Sequence, residues 1–440
     1  MNKDKSLSWS ITVALSGFLF GFDTVVISGA NLPIKELWET GPIFHGFFIM
    51  SMALWGTVIG ALMGGIPCDR LGRKKTLFWI GILFAVSAFG SALAPDPYTF
   101  SFFRFIGGLG VGASSIAAPM YISEIAPPAK RGRLVALYQF MLVTGILLAF
   151  VSNYLLEGFG GDSDWRYMLG VEGIPALLFT IAVIGVPNSP RWLILKKNDE
   201  MGARAVMQQL GIEDVSAVVN SIETSVHTAK EKFFSKKYSK PILLAFFLAA
   251  FNQLSGINFI LYYAPEILEL SGLASKESLF NSIAIGGVNF VFTYVGLYFI
   301  DRLGRKTLLI IGSIGYIIGL SMVSYSFYSG ASPTFMLVFL LLFIASHAVG
   351  QGAIIWVYIS EIFPNQVRAM GQSLGCGTHW VFAALITLFS PKVIDLFKEN
   401  PWPIFAIFAA FMVAQLIFAL FYFPETKGKS LEELEILSEG

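Results

Sequence analysis

Windows of about 20 apolar residues, the length that crosses a hydrocarbon core of about 30 Å, can be laid along this chain twelve times. They fall at 9–31, 44–66, 76–94, 98–122, 134–157, 165–186, 241–271, 278–300, 307–328, 334–362, 369–393 and 402–423. Inside lipid every backbone polar group must be satisfied within the chain, which leaves helices and closed barrels. Nothing here alternates as a barrel strand does, so the expectation is an all-α membrane protein of twelve transmembrane helices. Composition agrees: 55% of residues are hydrophobic and 13% charged, against about 25% charged in soluble domains. The first stretch is read as a span and not a cleaved signal, because it is long and contains Asp23.

The spans are two copies of one unit. Asp69 to Lys74 reads Asp-Arg-Leu-Gly-Arg-Lys, and so does Asp301 to Lys306, each between two apolar segments. Tyr121-Ile122-Ser123-Glu124-Ile125 returns as Tyr358-Ile359-Ser360-Glu361-Ile362, Arg131 returns as Arg368, and Pro187 as Pro424, all at an offset of 237. Duplicated multi-span halves are the organisation of secondary transporters. The expected layout is a six-helix half over 1–189, a cytoplasmic helical domain over 190–240, a second half over 241–424 and a tail over 425–440. Within the linker, Met201 to Leu210 and Val215 to Ala229 carry helical apolar spacing. A flexible connection is the alternative.

Of the 30 Lys and Arg residues, 24 lie on the side that holds both termini and the hexapeptide loops, and five on the other. The positive-inside rule makes that side cytoplasmic, in a multi-pass protein of the cell inner (plasma) membrane. Topology thus accounts for the basic residues, and a net charge of +1 argues against a nucleic-acid partner. Cys68 and Cys376 lie in opposite halves and read as ordinary thiols, with no metal site. No nucleophile, metal cluster or phosphate loop suggests an enzyme or a cofactor.

Three ionisable residues fall inside spans. At 1.5 Å per residue, Asp23 lies about 9 Å below the outer edge of the core, and Arg104 and Glu172 lie about 9 and 10 Å in from the same side. Asp23 is too short to reach water and needs a partner or a proton. Burial raises a carboxyl pKa and a nearby guanidinium lowers it, so moving Arg104 relative to Asp23 would switch its protonation. A static buried pair is the alternative. A neutral group follows in the seventh span, where Asn252, Gln253, Asn258 and Tyr262 crowd together. On a straight helix Gln253 and Asn258 would face about 140° apart, but Ser255-Gly256 permits a break, and broken helices build transporter sites. Amides both donate and accept, as sugar hydroxyls do. Trp356 and Trp380 offer flat apolar faces, and no cationic cluster suggests a charged substrate.

These motifs resemble the sugar porter branch of the major facilitator superfamily, which includes bacterial proton-coupled sugar symporters and animal facilitative glucose carriers. The matching strings are Gly21-Phe22-Asp23, the two hexapeptides, and Arg104 with Gly107-Gly108-Leu109-Gly110. They continue with Tyr121 to Glu124, Ser189-Pro190-Arg191-Trp192, Gln253-Leu254-Ser255-Gly256-Ile257-Asn258, Trp356 and Pro424-Glu425-Thr426-Lys427-Gly428. The resemblance implies that Asp23 and Arg104 form the proton-coupling pair, with Glu172 accessory. Facilitative carriers typically have Asn at the position of Asp23, which favours symport. It implies further that Phe20, Gln139, Gln253, Asn258, Tyr262, Asn289, Gly352, Trp356 and Trp380 line the sugar cavity, together with Asn252 and His379. Ile146 also lines it and resembles the glucose carriers. Asn252 stands where many members have Gln, and His379 where an amide is common; both leave the sugar open. A cytoplasmic gate is implied at Asp69, Arg70, Arg73, Glu124, Arg131, Asp301, Arg302, Arg305, Glu361 and Arg368, holding the halves together when the pore faces outward. Asn188 replaces the usual Glu of its motif, which should weaken one ion pair there. The expected function is alternating-access transport of a monosaccharide (hexose or pentose) coupled to a proton, by a monomer in the lipid bilayer. A facilitative uniporter and a sugar sensor are the rivals.

Overall fold

A computed structural model describes residues 5–127, 130–212, 214–224, 232–364 and 366–428. Among them, eleven helices are long and apolar enough to cross a membrane, and a bent pair makes a twelfth span. In chain order the spans are Lys5–Leu37, the pair Pro42–Met50 and Met52–Met63, Arg73–Ala92, Pro97–Ile125, Arg131–Leu156 and Gly161–Ile184, then Lys236–Tyr262, Ser275–Leu303, Arg305–Ser329, Pro333–Glu361, Arg368–Leu396 and Trp402–Phe421. We number them spans 1 to 12. Span 1 packs on span 5 and span 2 on span 4 in the first half; span 9 packs on spans 10 and 12 in the second. The halves meet where span 5 runs along span 8, span 2 along span 11, and span 1 along span 7.

Apolar windows mark a span but not its interruptions. Span 2 bends by 42° at Ser51, after a π-helical stretch over His45–Met50. Span 10 breaks at Gly350, between Pro333–Val349 and Gln351–Glu361. Span 7 breaks at Ser255-Gly256 into Ser239–Leu254 and Ile257–Tyr262, and after a second break at Tyr263 it extends into a third piece, Ala264–Leu270, counted here with span 7. The first break uses Gly256 at φ 85°, a left-handed conformation that a side chain disfavours. Pro265 then opens the last piece at a position where its missing N–H costs nothing.

The duplication extends to backbone geometry. Each hexapeptide turns at its glycine, Gly72 at φ 87°, ψ 159° and Gly304 at φ 91°, ψ 165°, and the next residue, Arg73 or Arg305, starts the following span. The Tyr121 hydroxyl donates to the Pro187 carbonyl at 2.9 Å, and Tyr358 repeats this to Pro424 at 3.4 Å.

Between the halves, helices at Glu200–Gln209 and Val215–Thr224 fold on a small core of Trp192, Leu193, Ile194, Ala203, Val206, Met207 and Val219. Asp199 caps the first of them by accepting from the Gly202 N–H at 2.8 Å. Trp192 fastens this layer to the first half, its indole N–H donating to the Asp69 carbonyl at 2.9 Å. Farther on, Phe233 packs on Phe363 of the second half, ring centroids 5.7 Å apart. The expected continuation of the second linker helix to Ala229, and the tail beyond residue 428, lie outside the described residues.

Candidate functional site

Asp23 and Arg104 meet in the core of the first half, both nearly excluded from solvent. Arg104 Nη1 donates to Asp23 Oδ1 at 2.6 Å, and Nη2 to the Asp23 carbonyl at 3.0 Å. Two parallel bonds from one guanidinium to one residue fix the pair in orientation as well as distance. Glu172 is equally buried and sits in the field of both charges. Its Oε1 and the Arg104 Nε have no hydrogen-bond partner among the described residues. An unspent guanidinium donor and an unpaired Glu172 oxygen make this trio an incompletely satisfied polar cluster. Tyr262, from the second half, lies in the field of Arg104 and Asp23, so the charged cluster reaches the seam between the halves.

That seam holds the neutral polar residues. Gln253 donates through Nε2 to Asn252 Oδ1 at 3.0 Å and lies 3.1 Å from His379 Nε2. His379 packs between Trp356 and Trp380, ring centroids 5.0 and 4.7 Å away. Across the seam Phe20 approaches Trp380 at 5.6 Å. Asn258, Asn289 and Tyr262 are buried and Ile146 is buried beside them in the core of the bundle, whereas Trp356 is 37% exposed. Gly352 lies against His347, whose carbonyl would stand 3.1 Å from an added Cβ. Gln139 is half-buried on span 5.

The charged residues expected at the gate pair within each half. Glu124 and Arg131, and Glu361 and Arg368, are not partnered with each other. Arg73 Nη2 instead donates to Glu124 at 2.9 Å while Nη1 reaches Asp69 at 3.5 Å. Arg305 grips Glu361 by two bonds of 2.7 and 3.1 Å and reaches Asp301 at 3.1 Å. The cause is the hexapeptide turn, which sinks Arg73 and Arg305 under their own halves, both 8% exposed, while Arg131 begins span 5 on the surface. None of the ion pairs between described residues on this face joins one half to the other. Arg302 stacks on Tyr298, 4.1 Å from the ring centroid, and Arg70 is exposed. Glu124 Oε2 and Arg368 Nη2 are buried without partners among the described residues. The copies differ at Glu425. Partial burial pushes its carboxyl up, but the backbone N–H groups of Lys427, Arg305, Lys306 and Thr426 hold it below the usual carboxylate range. Asn188, at the matching place in the first half, makes no such bonds among the described residues.

On the opposite face the halves are tied by residues that sequence reasoning misses. Asn31 of span 1 donates to Glu266 Oε2 of span 7 at 2.7 Å, and Lys35 lies 3.7 Å from the same carboxylate. His45 joins Asn31 Oδ1 at 2.8 Å and Thr40 at 2.7 Å. Asn31, His45 and Glu266 are all buried. Each falls near the end of a span, where a polar residue is ordinary, so only their meeting in space marks them.

The chain matches the model of the sugar (and other) transporter family over residues 9–437. It is 36% identical to an arabinose-proton symporter of Bacillus subtilis, covering 97% of this chain and 94% of that protein. It is 33% identical to a D-xylose-proton symporter of Escherichia coli, covering 100% and 96%, and 30% identical to a glucose facilitated diffusion protein of Zymomonas mobilis, covering 97% and 96%. Among solved structures, the inward open conformation of the xylose transporter XylE from E. coli superposes with a TM-score of 0.87 at 32% identity, covering 98% of this chain and 99% of that one. The same transporter bound to 6-bromo-6-deoxy-D-glucose gives 0.82, covering 99% and 100%. With the twelve-span duplicated fold and a family match that runs almost end to end, this chain belongs to the sugar transporter family of the major facilitator superfamily.

Proposed function

We propose that this protein moves a monosaccharide together with a proton by alternating access, with Asp23 as the proton carrier and Arg104 as the group that sets its affinity. The observation that carries this reading is the buried Asp23–Arg104 pair at 2.6 Å, with Glu172 beside it leaving Oε1 unpartnered among the described residues and Tyr262 linking it to the seam. A proton on Asp23 removes the charge that holds Arg104. The guanidinium then has reason to turn to Glu172, and a pair that must re-form is a device for coupling. At the seam, Gln253, Asn252, His379, Trp356, Trp380 and Phe20 offer hydroxyl partners and ring faces, and Gln139, Asn258, Asn289 and Gly352 complete the cavity wall. The relatives' names include arabinose, xylose and glucose, which supports an uncharged pentose or hexose.

The hexapeptide face is the cytoplasmic one in this reading, and the protein works as a monomer in the inner membrane. The tie at Asn31, Lys35 and Glu266 supports a carrier shut on its outer face. The unpartnered Glu124 Oε2 and Arg368 Nη2 supply the charges for a latch across the halves when the cytoplasmic face closes in turn. Facilitated diffusion, the mode named for the Zymomonas relative, is the alternative, and Asp23 favours symport over it. Purified protein in liposomes is expected to concentrate labelled D-glucose, D-xylose or L-arabinose under an inward proton gradient. Asp23→Asn should stop accumulation while sparing sugar exchange across the membrane. Accumulation by Asp23→Asn, or uptake by the wild type that ignores the gradient, would refute symport.

A further inference from the structure

A chain of buried amides runs from the seam to the far side of the second half, and every link in it has one direction. Gln253 Nε2 donates to Asn252 Oδ1 at 3.0 Å, and Asn252 Nδ2 donates to Gln351 Oε1 at 3.3 Å. Gln351 Nε2 donates to Gln415 Oε1 at 2.8 Å, Gln415 Nε2 donates to Ser313 Oγ at 2.8 Å, and Ser313 donates to the Leu309 carbonyl at 2.7 Å. The five side chains come from spans 7, 10, 12 and 9, and all are 2% exposed or less.

The last acceptor is a backbone carbonyl, which has no proton to give. With the Ser313 proton spent there, Gln415 offers Ser313 an N–H and accepts in turn from Gln351. A second carbonyl, that of Leu248, takes the other N–H of Gln351 at 3.4 Å, so reversing Gln351 would set oxygen against oxygen. The same logic passes through Asn252 to Gln253. There one N–H goes to Asn252 and the other faces His379, while Oε1 is buried without a partner. A buried acceptor left open is costly unless something donates to it.

We infer that Gln351 and Gln415, neither of which touches the seam, are positioning residues for sugar recognition: they polarise the relay so that Gln253 presents a carbonyl, and the protein reads one sugar hydroxyl as a donor. This rests on the transport reading above. It makes a demand that a general hydrogen-bonding amide does not, because fluorine in place of that hydroxyl can accept but cannot donate.

The test is competition of monodeoxy and monodeoxyfluoro analogues of D-glucose and D-xylose against uptake of the labelled parent sugar in proteoliposomes. In the wild type, at one ring position, the fluoro analogue should compete as poorly as the deoxy one, both roughly tenfold weaker than the parent. Gln253→Ala should erase that position's signature. In Gln351→Leu and in Gln415→Leu the Gln253 amide can turn, and the gap between parent and fluoro analogue should narrow to about threefold while the parent is still carried. The two variants strike the relay on different helices, so one that misfolds leaves the other, and the wild-type comparison needs neither. Fluoro analogues that match the parent at every position, or a gap unchanged in both variants, would overturn the inference and leave transport standing. Wild-type protein that carries none of the parent sugars would overturn the transport reading itself, and this inference with it.

Discussion

Asn31→Ala is the sharpest perturbation of the tie on the face proposed to be the outer one. Of the bonds in that cluster, those from Asn31 and Lys35 to Glu266 cross between the halves; the Asn31–His45 and His45–Thr40 bonds stay within the first. A hydrogen bond to a carboxylate is worth about 1.5–3 kcal/mol. When the outer face opens, Glu266 is rehydrated and the bond is worth nothing, so its loss penalises the closed-outside state alone. A shift of about 2 kcal/mol is about thirtyfold in the equilibrium between the two states. The Lys35 pair adds little to this, since the lysine side chain is 31% exposed and such pairs contribute about 0.2–1 kcal/mol. Spin labels on the exposed positions Glu36 and Lys276, with Cys68 and Cys376 replaced by alanine, report the distance between the halves on this face. Asn31→Ala should move most of the population towards the longer distance, whereas Thr40→Val, which breaks a bond inside one half, should not. An unchanged distance distribution in folded Asn31→Ala protein would refute the assignment of Glu266 as the outer tie.

Three further outcomes follow from the geometry. Gly256→Ala places a side chain at φ 85°, 2.8 Å from the Phe408 ring; a loss of about 1–3 kcal/mol is expected, read as a lower melting temperature in detergent. Asn188→Glu should give the start of span 3 the carboxylate cap that Glu425 gives span 9, raising thermal stability by about 0.5–2 kcal/mol; an unchanged melting temperature would show that the copies fasten differently. Because Glu425 is held below its unfolded pKa, its stabilisation is complete above the ordinary glutamate range, near 4.3, and fades as the pH falls through the folded value. The melting temperature of Glu425→Gln should therefore converge on that of the wild type in acid and separate from it at neutral pH.

The spans are legible in sequence because lipid imposes a length, and Asp23 and Arg104 are legible because ions in lipid need one another. Ser255-Gly256 announces its break through residues that tolerate one. Other features lack such local causes. The bend at Ser51 and the break at Gly350 lie inside apolar runs whose pattern they do not interrupt. Glu124 seeks Arg73 and not Arg131 because of where the Gly72 turn aims the chain, which no spacing along the sequence encodes. Gln351 and Gln415 carry the same signal as Asn252, an amide in an apolar span, yet only packing shows that they form one directional line. Asn31, His45 and Glu266 look like ordinary helix-end residues until three spans bring them together.

The Asp23–Arg104 pair also has an electrical consequence. As a carboxylate and a guanidinium it is neutral, and in the proposed symport a proton taken up by Asp23 would leave the bundle one charge more positive, whatever Glu172 carries. The loaded carrier thus senses the membrane voltage differently from the empty one. A full elementary charge crossing 100 mV is worth about 2.3 kcal/mol, close to a fiftyfold ratio of sugar at equilibrium. On the proposed coupling of one proton to one sugar, a cell with a negative interior and no pH difference across its membrane would still accumulate sugar, and collapsing the voltage alone would release it.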